Sequence, residues 1–393
     1  MNHRQHFPAL TNKAYFNYGG QGPLSKQALE AIVTSYKQIE LRGPFSAEAN
    51  AWMTKEAEET RCMIGGELGV PASSITLTED VTVGCNIALW GIDWRPGDHL
   101  LLTDCEHQGV IAAVRELQRR YDIEVSTCPL KATLNEGSPL DVIAQYLRSN
   151  TRLVVISHIL WNTGQVLPLE EIIQLCRSHS TWGQPVRILV DAAQSVGVLP
   201  LNLAQLEPDF YAFTGHKWWC GPAGLGGLYV HPAILESVRP TFIGWRSVKV
   251  NSQGEPVEFK SDGRRFEIAS SSTTLYAGLR TAIALHHEWG TTEKRYQRIR
   301  ELSKILWEKL NNLAGVSCLK KSPPDAGLVS FQLHETQIES GRTHDDLVNY
   351  LEERNIMVRT LLNPDCVRAC VHYFTLESEI DQLIEAILDF QAK

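Results

Sequence analysis

Short apolar runs recur along the first two thirds of the chain, each followed by small and polar residues. His99–Thr103, Ile123–Cys128, Leu153–Ser157, Ile188–Val190, Phe210–Phe213 and Gly227–Val230 read as buried strands. Between and before them lie segments with helical period: Ser25–Glu40, Glu48–Leu68, Gly109–Tyr121 and Pro168–His179. The alternation predicts an α/β fold with a mostly parallel sheet covered on both faces. Past about Gly290 the pattern changes. Long amphipathic helices over Thr292–Leu313, His344–Arg354 and Glu377–Phe390 flank short strands near Gly327–Leu333 and Ile356–Arg359. That reads as a smaller α+β unit. Asn251–Gly263 is polar and reads as a loop.

A chain of 393 residues exceeds the usual single core, so two domains are expected. Apolar residues at 43% and charged residues at 21% fit an ordinary globular protein. The net charge of −8, with no lysine or arginine block, argues against nucleic acid and anionic membranes as partners. Met1–Pro8 has no apolar core of a signal peptide, and no run approaches a membrane span. Nine scattered cysteines predict a reducing, cytoplasmic compartment. Cys366 and Cys370 are the closest pair, but no second pair completes a zinc site, so no metal is expected.

Ligands of open parallel sheets bind beyond the carboxyl ends of the strands. Four predicted strands end in chemically capable residues. Asp104-Cys105-Glu106-His107 follows the first; His158, Trp161 and Asn162 follow the third. Asp191 and Gln194 follow the fourth, and His216 with Lys217 the fifth. Each alone has a plainer reading: a surface lysine, an N-cap aspartate, a loop histidine. The pairing of Asp191 with Lys217 is what points to pyridoxal phosphate (PLP). A lysine can form an imine with its aldehyde, and a carboxylate can keep its ring nitrogen protonated. The run Gly221-Pro222-Ala223-Gly224-Leu225-Gly226-Gly227 allows backbone to approach a ligand closely. Gln194 is placed to reach the phenolic oxygen, His107 to stack on the ring, and Thr214 with His216 to bind phosphate. Thr78 to Asn86 opens a helix whose N-terminus suits an anion, or is simply capped. Arg359 and Arg368 are candidates to clamp a substrate carboxylate. Trp161, Trp245 and Tyr18 are candidates for a substrate pocket wall, or for core.

Taken together, "DAAQS" and "FTGHKWWCGPAGLGGLYV" resemble the class V aminotransferase-like family of fold-type I PLP enzymes, which includes cysteine desulfurases and cysteine/cystine C–S lyases. The resemblance runs from about Tyr15 to Phe390. "YFNYGGQGPL", "LLTDCEH", "SHILWNTGQVLPL", "GWRS" and "DCVRACVHY" are most similar to the L-cysteine/cystine lyase branch. It implies the aspartate aminotransferase fold (type I). A large domain over 21–265 would hold a mostly parallel seven-stranded sheet. Residues 1–20 with 266–393 would form a smaller α+β domain. It also implies roles. Lys217 is the imine lysine, Asp191 the pyridinium partner, Gln194 the contact to the phenolic oxygen and His107 the stacking residue. Thr82, Val83, Thr214 and His216 form the phosphate cup, Val83 through its backbone N–H alone. Ser270 is donated by the partner subunit, so a homodimer with shared active sites is expected. Asn162, Arg359 and Arg368 bind the substrate carboxylate, and Asn17 and Gly19 lie on the amino-terminal segment that lines the site; Trp245 remains a candidate substrate-binding residue of the pocket wall.

One departure separates the branches. Cysteine desulfurases carry a reactive cysteine on a flexible loop between the counterparts of Arg359 and Arg368. Here only eight residues lie between the two arginines, and Cys366 sits two residues before the second. The resemblance therefore implies a lyase that β-eliminates cystine and cysteine to pyruvate, ammonia and a persulfide or sulfide. Such a persulfide would suit sulfur supply to iron–sulfur clusters. The alternatives are a desulfurase giving alanine and enzyme persulfide, an epimerase or transaminase, and a non-catalytic binding protein on the same fold. The last would lack the absorbance at about 420 nm expected of the family.

Overall fold

A computed structural model describes residues 3–334 and 343–392; the ends of the expected amino- and carboxyl-terminal spans, and 335–342, lie outside the described residues. Seven strands form the main sheet: β1 (Ile75–Thr78), β2 (His99–Thr103), β3 (Glu124–Cys128), β4 (Thr151–Ser157), β5 (Arg187–Asp191), β6 (Phe210–Thr214) and β7 (Gly226–Val230). Their order is β1-β7-β6-β5-β4-β2-β3. The block from β6 to β3 is parallel, and β7 runs antiparallel to both β6 and β1. The fold is thus α/β with a mixed central sheet. Most of these strands are buried along their whole length, which is why they read as apolar runs rather than as alternations. One core lies on the face that contains Leu101, Val154, Ile188 and Phe213; the other contains Leu100, Val155, Leu189 and Ala212.

The strand β1 was not legible in the apolar runs, and it pairs with β7, about 150 residues downstream. Two other expectations change. The predicted loop 251–263 contains the strand Pro256–Phe259, which pairs with Val248–Val250 in a hairpin. The predicted strand Ile356–Arg359 splits in two. Ile356–Met357 pairs with Ala14–Tyr15, whereas Arg359 begins a separate strand. The helix Thr274–Trp289 packs on the helices Lys26–Arg42 and Ala47–Leu68.

A second, antiparallel sheet follows: β8 (Val316–Cys318), β9 (Leu328–Leu333), β10 (Arg359–Leu362) and β11 (Asp365–Cys370), ordered β8-β9-β11-β10. The helices Thr292–Asn311, His344–Glu352 and Glu377–Ala392 bury its apolar side chains. The amino-terminal segment joins the two sheets. Phe7 stacks on Phe374 at 4.6 Å, Phe16 O accepts from Cys370 N, and Gly22 N donates to His216 O. A Cβ at Gly22 would stand 2.2 Å from Lys217 O, so only glycine lets this segment lie against the lysine loop. Among the described residues, no helix is long and apolar enough to cross a membrane.

Candidate active site

A cavity of about 230 Å³ opens where β2, β4, β5 and β6 end at their carboxyl edge. Lys217, Asp191, His107, Gln194, His216, Thr82, Arg359, Arg368 and Gly19 all lie on its wall. Parallel strands bring them together because each strand delivers its following residues to one edge of the sheet.

The electrostatics suit imine chemistry. Burial pushes the Lys217 amine down to about 8, against the pull of Asp191. Asp191 Oδ1 accepts from Ala193 N at 2.9 Å, which fixes the carboxylate at the strand end. His107 caps the helix Gln108–Tyr121, its Nδ1 accepting from Gly109 N at 3.2 Å. That leaves the proton on Nε2. Burial, then Lys217, lowers its affinity for a second proton, so the ring stays neutral and apolar enough to stack. His216 is likewise held neutral, and its Nδ1 pairs with Thr214 Oγ1 at 2.6 Å. Gln194 donates from Nε2 to Gly19 O and accepts from Trp218 Nε1, both at 2.9 Å. One amide hydrogen of Gln194 remains for a ligand.

The carboxylate side carries two guanidinium groups. Arg359 and Arg368 are directly paired across β10 and β11, and both face the cavity. Arg368 is 1% exposed, donates to Trp161 O at 2.7 Å and leaves its buried Nε without a partner. Trp161 Nε1 is also buried and unpaired, and the indole lies edge-on to His107. Buried donors without partners are expensive, so these await an anionic ligand. A Cβ on Gly19 would stand 3.0 Å from the Arg368 guanidinium. We expect Gly19→Ala to shift that group and raise KM for an amino-acid substrate by about 10- to 100-fold, with thermal stability little changed. Steady-state kinetics beside a melting curve check this.

Not every expected residue is on the wall. Thr214 is buried behind His216 and acts through it. Asn162 is 2% exposed and donates to Asn363 O at 3.2 Å; its neighbour Trp161 takes the place on the wall. Asn17 stands behind Gly20, with its Oδ1 buried and unpaired. Two expectations are corrected, those for Val83 and Trp245, while Tyr18 takes the core alternative. Val83 N–H is not free for phosphate, because it donates to the Asp80 carboxylate at 2.9 Å; an N-cap aspartate competes for that hydrogen. Trp245 is 64% exposed under the Arg246 guanidinium and lines no part of this cavity. Tyr18 belongs to the core beside Trp218. Ser270 lines a neighbouring cavity of about 910 Å³ that shares Thr82 and includes Val83.

The sequence reading did not single out Ser157, Asp80 or Gln108 for this wall. Ser157 ends a strand in register with Asp191, a signal available once that pairing is assumed.

The donor set fits PLP. An amine and a carboxylate share one cavity, an imidazole can lie against a ring, and the first turn Val81-Thr82 with His216 can hold a phosphate. Among the described residues, one other cluster has the side chains of a metal site, and it does not fit one. Cys220, His286 and His372 cluster, but both imidazoles spend their nitrogens on Trp219 O, Tyr373 OH, Trp218 O and Tyr373 N.

The class V aminotransferase family model matches residues 14–383, and the chain belongs to that family. A structure of the cystine C–S lyase C-DES in complex with its reaction product cysteine persulfide is 49% identical. Its TM-score is 0.94, over 98% of this chain and 99% of that one. A variant of C-DES with glycine covalently linked to its PLP cofactor gives 0.95 over the same shares. A cysteine desulfurase of Escherichia coli O127:H6 is 26% identical over 98% of this chain and 96% of that protein. An isopenicillin N epimerase of Streptomyces clavuligerus is 26% identical over 97% and 94%.

Proposed function

We propose that this class V aminotransferase-family chain is a PLP-dependent carbon–sulfur lyase acting on cystine, and more slowly on cysteine. One observation carries the choice over a desulfurase. The segment between the two arginines is a tight hairpin, with Leu362 paired to Asp365 and Leu361 to Cys366. Cys366 is fully buried, and burial pushes its thiol up to about 12. This segment is no swinging arm that presents a thiolate to the site. The likeness to C-DES supports the same choice, while the desulfurase relatives keep that activity as the rival.

PLP, when bound, supplies an aldehyde that takes up amines and a ring that draws electrons from the substrate Cα. The residues do the rest. Arg368 and Arg359 hold the substrate carboxylate, with Asn162 bracing the β10–β11 turn behind them. Lys217, neutral above about pH 8, takes the Cα proton as general base. Asp191 would hold a proton at the ring nitrogen, and His107 would cover the ring and exclude water. Cβ–S cleavage then releases cysteine persulfide and aminoacrylate, which water converts to pyruvate and ammonia. A persulfide leaves more readily than hydrosulfide, which favours cystine.

The same reading takes 21–265 as the cofactor-holding domain, with 1–20 and 266–393 bringing the arginines. It takes the chain as a cytoplasmic homodimer in which Ser270 completes the partner's site. Ser270 is exposed beside the exposed apolar side chains of Phe242, Ile243, Trp245 and Ile268, a patch that association would cover. Nine unpaired cysteines suit a reducing compartment. Sedimentation at twice the chain mass is expected, and a monomer would remove Ser270 from the site. Cys366→Ala should keep cystine turnover within about 3-fold of the parent. Loss of orders of magnitude, with alanine in place of pyruvate, would return the desulfurase.

A further inference from the structure

Glu106 is the most deeply placed acid near the site, and the mechanism above makes no use of it. It is 3% exposed and precedes His107. Its Oε1 accepts from Thr103 Oγ1 at 2.6 Å and from Ser157 N at 3.1 Å, and its Oε2 accepts from Ser157 Oγ at 2.9 Å. One carboxyl group therefore joins the carboxyl end of β2 to that of β4. Both ends carry cavity residues: His107 after β2 and Ser157 at the end of β4. No arginine or lysine among the described residues pairs with this group. The titratable groups around it are Asp191 on β5, Cys85 on the helix Val81–Gly91, its neighbour Cys105 and Cys128 on β3.

We propose that Glu106 is a positioning residue for the reaction, whose carboxyl group locks β2 to β4 and so sets His107 and Ser157 against the cofactor ring. This rests on the PLP reading above, though not on which sulfur substrate is used. The group works as an uncharged acid. Burial first, and then Asp191, raise it to about 8, so near neutral pH it keeps its proton.

The experiment compares Glu106→Gln, Glu106→Ala and Thr103→Val in the PLP-loaded protein. Two quantities are read: circular dichroism of the cofactor absorption band without substrate, and kcat for cystine. Glutamine can accept at its oxygen and donate from its amide as the neutral acid does. We expect Glu106→Gln to keep both within about 2-fold of the parent. Glu106→Ala should lose more than half of the cofactor signal and at least about 10-fold in kcat, with KM little changed. Thr103→Val, which removes one of the three hydrogen bonds, should fall between them and keeps the test open if the alanine variant does not fold. Raising the pH from about 7 to 9 should weaken the parent's signal and leave that of Glu106→Gln flat. Either of two results overturns the proposal: alanine or valine variants with an unchanged cofactor signal and kcat, or a glutamine variant as damaged as the alanine. Because the dichroism needs no substrate, a failure of the cystine reading leaves it interpretable.

Discussion

Lys217→Ala lowers turnover of cystine by at least about 10³-fold, the range expected when a general base is removed from its site. Lys217 shares the cavity with Asp191, and burial leaves its amine at about 8, where a neutral base is present near physiological pH. The sign of the pH dependence follows. A base must be neutral to accept a proton, so the proton-transfer rate rises with pH and levels off above about 8. The contribution of Lys217 to the stability of the cofactor-free protein moves the same way. The unfolded lysine binds its proton more tightly than the folded one, so that contribution rises with pH from about 8 towards the ordinary lysine range of about 10.4. Stopped-flow traces of the alanine variant, and the difference between its melting curves and the parent's across that window, check both statements. A variant with near-parental turnover removes the assigned base.

The second large effect is at Arg368. Replacing it by lysine keeps a charge but loses the planar fork, and the guanidinium lies in a dry site with its Nε unspent. A hydrogen bond to a charged group is worth about 1.5–3 kcal/mol, so kcat/KM for cystine should fall by about 10- to 100-fold, largely through KM. Arg359→Lys should cost less, because Arg359 is exposed. Steady-state kinetics of the two variants against the parent separate a specific clamp from a general charge effect: equal losses at both positions would contradict the division drawn from their burial.

Several elements were legible in the sequence for identifiable reasons. Parallel strands buried on both faces print themselves as apolar runs, which is how β2, β4, β5 and β6 were placed and how their four end segments were brought to one edge. Asp191 and Lys217 followed from that edge. The strand β1 is only four residues, Ile-Thr-Leu-Thr, and its partner is remote in sequence, so no local run marks it. The hairpin at 248–259 is exposed and polar, the composition of a loop. Val83 was misassigned although its competitor was in view. Asp80 stands three positions earlier, at the N-cap spacing that takes up the N–H in question. Trp245 rested on the motif "GWRS" alone, and an aromatic beside glycine says nothing about which surface it faces. Trp161 and Glu106 drew little weight because their burial and unpaired or shared hydrogens are tertiary facts.

The hairpin reading of Cys366 stands or falls on where the sulfur goes. Purified, PLP-loaded protein is given cystine through many turnovers and then separated from small molecules by rapid filtration. Pyruvate and alanine are measured in the filtrate, and intact-protein mass spectrometry reads sulfur added to the chain. The expected result is pyruvate with ammonia and sulfane sulfur in the filtrate, and a chain of unchanged mass. Alanine in the filtrate, with a persulfide carried on a cysteine of the protein, would contradict the account.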